Sequence, residues 1–187
     1  MSFDTLLQQI NENNTQQRDR GTAFEYLVKA YLKNEPTYKN LFQEVWMLSE
    51  VPELEAIPKK DVGVDLVAKK FTGELVAVQA KFYDHKLYKQ DIDSFLSEIN
   101  KDYYSEGLIV SSTDDWGANA EQAIEGLSKS ISRIGLSDLR NSQIDWNKFS
   151  FTSNEKVEIK QSKSLRDYQK KAISNSLEYF KKHDRGQ

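Results

Sequence analysis

Apolar positions recur along the chain at two spacings, and the change from one to the other marks the elements. Phe3, Leu6, Leu7 and Ile10 fall at i, i+3, i+4 and i+7, one face of a short helix. Asn11 to Arg20 is polar and reads as a loop. Gly21 then opens a second helix, with Phe24, Leu27, Val28, Tyr31 and Leu32 as its core stripe. Asn34-Glu35-Pro36 ends it, because the residue before a proline is pushed out of the helical region. Leu41 to Val51 reads as a strand too apolar for clean alternation, hence one buried on both faces. After a loop from Pro52 to Lys60, the stretch from Asp61 to Phe82 reads as two strands joined by a turn at Phe71-Thr72-Gly73. Ile92, Phe95, Leu96 and Ile99 mark an amphipathic helix, and Gly107 to Ser112 a short buried strand. The strand–helix–strand order from Gln79 to Ser112 implies a right-handed parallel crossover. Ser111, Ser112, Thr113 and Asp114 are residue types that cap a following helix, here one carried by Ala120, Ala123, Ile124 and Leu127. Trp116, in the loop between, is expected to be exposed. Ser130 to Leu139 is expected to form a last strand, and Ile144-Asp145-Trp146 a short extension. Phe151 to Lys163 is polar and reads as a linker, before a helix that runs to about Lys182.

The hairpin carries the candidate chemistry. Period-two alternation places Val62, Val64, Leu66 and Ala68 on one face and Asp61, Gly63, Asp65 and Val67 on the other. On the second strand Val76, Val78, Ala80 and Phe82 share a face, and Leu75, Ala77, Gln79 and Lys81 share the opposite one. With the turn centred on Thr72, Asp65 lies opposite Gln79, close enough to interact. A carboxylate, a carboxamide and an ammonium then meet on one patch of an otherwise apolar hairpin. One reading is a structural Asp–Lys pair on a solvated sheet face. The other is a metal-dependent phosphodiesterase site. There Asp65 and a neighbouring acceptor hold Mg²⁺, a hard cation that prefers oxygen ligands. Lys81 stabilises the attacking hydroxide or the charge growing on the phosphate.

Composition narrows the setting. The 187 residues suit one domain with a real core, and 29% charged against 38% hydrophobic residues is a globular balance. The net charge of −3 lacks the basic footprint of most nucleic-acid binders, so DNA contact requires Lys and Arg to cluster on one face, or other domains to hold the DNA. The absence of cysteine excludes a disulfide framework and a thiolate zinc site. Met1-Ser2-Phe3-Asp4 starts no signal peptide and no apolar run approaches membrane length, which makes a cytoplasmic protein without membrane partners the default. Aromatic and basic residues interleave from Phe82 to Lys89, as a DNA contact or as a solvated loop. His85 within it is given no role, and Gln90 is close enough in sequence to reach the site.

Asp65 followed across a turn by Gln79-Ala80-Lys81 resembles the PD-(D/E)xK nuclease signature, in the Mrr-like form with Gln for the middle acid. Lys60-Asp61-Val62-Gly63-Val64-Asp65-Leu66 is similar to that branch's Asp-x-Gly-x-Asp-Leu approach. Arg20-Gly21-x-x-Phe24-Glu25-x-Leu27 resembles its first-helix Glu motif. The resemblance implies an α/β fold over residues 1–150, a central mixed sheet of four to five strands flanked by helices, with the site at one sheet edge. It also implies Glu25, Asp65 and Gln79 as metal ligands and Lys81 as the group that orients or activates water. On pattern alone Glu25 is an ordinary rim glutamate. The resemblance favours a second carboxylate, supplying the charge that neutral Gln79 does not. Asp61 is read as structural.

Leu165-Arg166-Asp167-Tyr168-Gln169 resembles the Q motif that opens superfamily 2 helicase-like ATPases. No Walker A sequence follows, so ATP enters only through a motor domain beyond these residues. The expectation is a linker over 151–164 and the truncated start of a helicase-like domain over 165–187. Taken together the segments resemble the N-terminal part of Type ISP restriction–modification enzymes. That resemblance implies non-specific backbone contacts to double-stranded DNA and strand nicking. It also implies translocase, methyltransferase and target-recognition parts in the same polypeptide. Two rivals remain: a nuclease fold kept as a non-catalytic DNA clamp or interdomain scaffold, and a junction resolvase or repair nuclease, which needs a stable dimer.

Overall fold

Leu66, Ala68, Val76 and Val78 project from one side of the hairpin and Val67, Leu75 and Ala77 from the other, and all are buried. A sheet apolar on both faces has to be covered on both, and the chain supplies a helical layer for each. The computed structural model describes residues 2–59, 63–151, 157–160 and 167–182. One five-stranded sheet runs β1 (Phe42–Met47), β2 (Leu66–Lys70), β3 (Leu75–Lys81), β4 (Glu106–Ser111) and β5 (Ile131–Ile134), in sequence order across the sheet. The first three strands are antiparallel to their neighbours, and β4 and β5 continue parallel to β3. This is the expected mixed sheet, with the expected parallel crossover through α4 (Lys89–Ile99).

On one face α1 (Phe3–Asn13) and α2 (Gln17–Asn34) pack against Leu66, Val78, Leu108 and Val110, joined by the short α6 (Leu136–Asn141) and by Trp146. On the other, α4 and α5 (Ala118–Glu125) cover Val67, Ala77 and Ile109. The stripes on α2 and α4 are buried residue for residue as their spacing requires. A one-turn helix, α3 (Pro36–Lys39), follows α2.

Several expectations shift. Helix α2 begins at Gln17 rather than Gly21, so the polar run before Gly21 is its first turn. Strand β1 is an edge strand with Gln43 and Glu44 exposed, and its register shifts between Phe42 and Glu44. Its second half is apolar on both sides, Val45 and Met47 in the α1–α2 core and Trp46 against the α4-side core, and the 3₁₀ turn at Leu48–Glu50 follows with Leu48 in the latter. Asp114 caps α6, accepting from the Ser137 amide at 3.1 Å, rather than α5, whose N-cap is Gly117. Leu136, expected in the last strand, opens α6. Trp116 is half-buried, with the Arg133 guanidinium 5.0 Å from its ring centroid and Arg133 also bonded to Glu121.

The last described segments lie outside the sheet. In the stretch read as a linker, Val157 is buried in the α1–α2 core, and Lys160 donates its amide to Gln143 at 2.7 Å. Leu165 and Arg166 lie outside the described residues. Helix α7 (Asp167–Lys182) carries Tyr168, Ile173, Leu177, Tyr179 and Phe180 exposed.

Helix α4 reaches back to the entrance of β2. A Cβ on Gly63 would lie 2.9 Å from the Phe95 amide nitrogen and against Ser94, and Gly63 itself holds φ +95°. Both constraints select glycine. Gly63→Ala should therefore destabilise the protein by about 2–4 kcal/mol, from backbone strain plus overpacking. A chemical denaturation midpoint shifted by less than a quarter of that would contradict the packing described.

Candidate active site at the end of the hairpin

The cross-strand register pairs Leu66 with Val78 and Val67 with Ala77, as a turn centred on Thr72 demands. The ladder ends at Leu66, and what lies beyond it departs from alternation. Val64 packs on the same side as Val67, not with Leu66, because Gly63 turns the chain. Asp65 keeps backbone bonds to both neighbours: its amide donates to Val78 O at 2.9 Å, and its carbonyl accepts from the Leu48 amide at 2.9 Å.

The side chains then cross. The Asp65 carboxylate accepts from the Ala80 amide at 2.7 Å, while the Gln79 carboxamide Nε2 donates to the Gly63 carbonyl at 2.9 Å. The two side chains thus bond to different backbone groups. Each is fastened to the other strand's backbone. Gln79 is 1% exposed, and its Oε1 is buried without a hydrogen-bond partner.

Helix α2 brings the remaining groups. Arg18, Gly21, Thr22 and Glu25 are spaced i, i+3, i+4 and i+7, one helical face, and all four line a cleft of about 440 Å³ at the C-terminal end of β3. Asp65, Lys81, Lys59, Tyr83 and Met47 line the same cleft. An ion pair between Lys29, one turn on from Glu25, and Glu50 ties α2 to the turn after β1, and Glu50 also accepts from the Met47 amide at 3.0 Å. Burial alone would raise the Glu50 pKa, but the hydrogen bonds from Lys29 and Met47 outweigh it and lower it. The Tyr83 phenol is pushed up, first by burial and then by the charges of Asp91 and Asp65.

The structure brings Glu25, Asp65 and Lys81 to one cleft; Gln79 does not line it, and Asp61 lies outside the described residues. Arg18 and Lys59 were missed by the sequence reading. Arg18 was legible, since it shares the spacing that carries Glu25; the polar stretch read as a loop hid it. Among the described residues the lining holds three cations, Arg18, Lys59 and Lys81, against two carboxylates, Glu25 and Asp65. Among the described residues no three Asp, Glu or His side chains gather as a metal cluster. Two hard oxygen donors on facing elements, with an ammonium beside them, suit one divalent cation and one phosphate.

The chain matches the restriction endonuclease family Mrr_cat_2 over residues 33–156. Among solved structures it is similar over its whole length to the ATP-dependent Type ISP restriction-modification enzyme LlaBIII bound to DNA, at 54% identity and a TM-score of 0.84. The chain spans 11% of that protein's length. It is also similar in fold to the DNA modification-dependent restriction endonuclease AspBHI, at 15% identity and a TM-score of 0.50, covering 73% of this chain and 33% of that one. No curated protein matches. Among the described residues no helix is long and apolar enough to cross a membrane.

Position 79 is built for a donor. Gln79→Glu would set a buried carboxylate against the Gly63 carbonyl, which only a protonated acid can satisfy. Its folded-state pKa would be raised, so the penalty should grow as pH rises above the unfolded value of about 4.3. The expected cost is about 2–3 kcal/mol near pH 8 and clearly less near pH 5, read by urea denaturation at both. A cost that does not change with pH would contradict the assigned bond.

Proposed function

The chain belongs to the restriction endonuclease family Mrr_cat_2, and from that premise we propose that it is a metal-dependent endonuclease module that hydrolyses DNA phosphodiester bonds, one strand at a time. The observation that carries this reading is the meeting of Glu25, Asp65 and Lys81 on one cleft. Glu25 and Asp65 would hold a Mg²⁺ ion. Its bound charge would polarise the scissile phosphate and ease deprotonation of water. Asp65 is pre-aimed, because the Ala80 amide fixes its second oxygen. Lys81 orients the attacking water and offsets charge developing on the phosphate. Gln79, expected as a ligand, acts through the Gly63 carbonyl that sets the turn before Asp65. Its Oε1 is buried without a hydrogen-bond partner.

The 54% identical relative is about nine times longer. We extend the reading accordingly: this module works within a single-polypeptide, ATP-dependent restriction–modification enzyme. Translocase, methyltransferase and target-recognition parts lie elsewhere in it, and its grip on double-stranded DNA is non-specific. The commitment of the Gln79 amide to Gly63 favours one rival, a nuclease fold kept as a DNA clamp or scaffold. A supercoiled-plasmid assay separates the two. With Mg²⁺ the polypeptide carrying this chain should convert plasmid to open circles, and EDTA should stop it. Asp65→Ala or Lys81→Ala should cut nicking by about 100-fold or more while ATP-driven translocation continues. Plasmid left intact in Mg²⁺, with translocation running, would leave only the scaffold.

A further inference from the structure

A second cleft, of about 530 Å³, lies across the wall formed by Gln17, Phe82 and Tyr83, which line both. That wall is fixed: Gln17 Nε2 donates to the Phe82 carbonyl at 3.0 Å, and the Phe82 ring packs on Phe24 with centroids 5.4 Å apart. Tyr83 has the Lys81 ammonium 6.0 Å from its ring centroid, and the His85 ring stacks on it at 4.6 Å. The two clefts therefore adjoin, one on either side of Gln17, Phe82 and Tyr83.

Arg20 is the feature of the second cleft that its own surroundings do not explain. Its Nη1 makes one long bond, 3.4 Å, to Asn11 Oδ1, and its Nε is buried with no hydrogen-bond partner. Among the described residues it forms no ion pair. Other side chains on the cleft are Leu7, Asp84, Ser112, Thr113, Leu136 and His85; Asp84 is the only acid among them and is exposed. The His85 Nδ1 hydrogen faces the Lys86 carbonyl at 2.9 Å, which leaves Nε2 as the ring's outward polar atom. An always-charged guanidinium with an unmet buried donor is suited to a phosphate oxygen, which its planar fork can take through two N–H groups.

We propose that this cleft is a phosphate subsite, in which Arg20 holds a backbone phosphate of the same DNA strand next to the one being cut. The proposal rests on the nuclease reading for the identity of its ligand. It adds a second grip on the strand, so that the scissile phosphate is set by tension between Arg20 and the Glu25–Asp65–Lys81 cleft.

The test uses a fluorescein-labelled duplex with Ca²⁺ in place of Mg²⁺, and dissociation constants measured by anisotropy over a KCl series. Arg20→Ala should bind about ten-fold more weakly at low salt. The slope of log affinity against log salt should flatten by about 0.9, the share of one phosphate contact. Arg20→Gln, which keeps the stem, should flatten it equally and is read alone if circular dichroism shows Arg20→Ala unfolded. Asp84→Lys, at an exposed position on the same cleft, should steepen the slope by a similar amount. Wild-type slopes in the neutral Arg20 variants, or in Asp84→Lys, would overturn the subsite. Plasmid nicking by the wild type in Mg²⁺ is scored separately. Loss of the subsite with nicking intact indicts this proposal alone, and Arg20-dependent binding without nicking indicts the nuclease reading.

Discussion

Two hydrogen bonds that cross between the ends of β2 and β3 hold the rest of the site in place. The Asp65 carboxylate takes the Ala80 amide and the Gln79 carboxamide takes the Gly63 carbonyl, so each strand's side chain fastens the other's backbone just where the ladder stops. A carboxylate at a frayed strand end would otherwise sample several rotamers. Here the Ala80 bond is charge-assisted and removes that freedom. The orienting partner in that bond is backbone, and Lys81 lines the same cleft. Helix α4, seated against Gly63 through Ser94 and Phe95, closes the arrangement from behind.

The charge distribution resolves an apparent mismatch. A chain with a net charge of −3 looks ill-suited to a polyanion. Yet among the described residues around the hairpin end the lining cations Arg18, Lys59 and Lys81 outnumber Glu25 and Asp65, and Arg20 lines the adjoining cleft. Since charges farther away than about 10 Å are largely screened at ordinary salt, the local balance governs approach, and the molecule-wide sum says little about it.

Much of the architecture was legible because period and burial agree. The apolar stripes of α2 and α4, the turn at Thr72 and the β3–β4 crossover all follow from spacing. Failures came where side chains act at a distance in sequence. Asp114 looks like a cap for the next helix, but the cap it makes is on α6, a partner set only by tertiary packing. Likewise the register holds as far as Leu66 and Val78, but Asp65, expected opposite Gln79, gives its amide to Val78 instead, and the two side chains go to different backbone groups. Glu25 and Asp65 were readable as motif residues. Arg18 was lost to a misplaced helix start, although its i, i+7 relation to Glu25 was in view.

The sheet's two flanks have a consequence of their own. At one margin β1 carries an irregular step between Phe42 and Glu44 with polar Gln43 and Glu44 outward; at the other, β5 is four residues long and its Arg133 is engaged by Glu121 and Trp116. Neither margin presents the long, flat row of free amides and carbonyls on which a foreign backbone could template itself. Polymerisation by strand addition is closed off at both ends. Copies of this chain brought together would meet through helical surfaces instead, and could separate again.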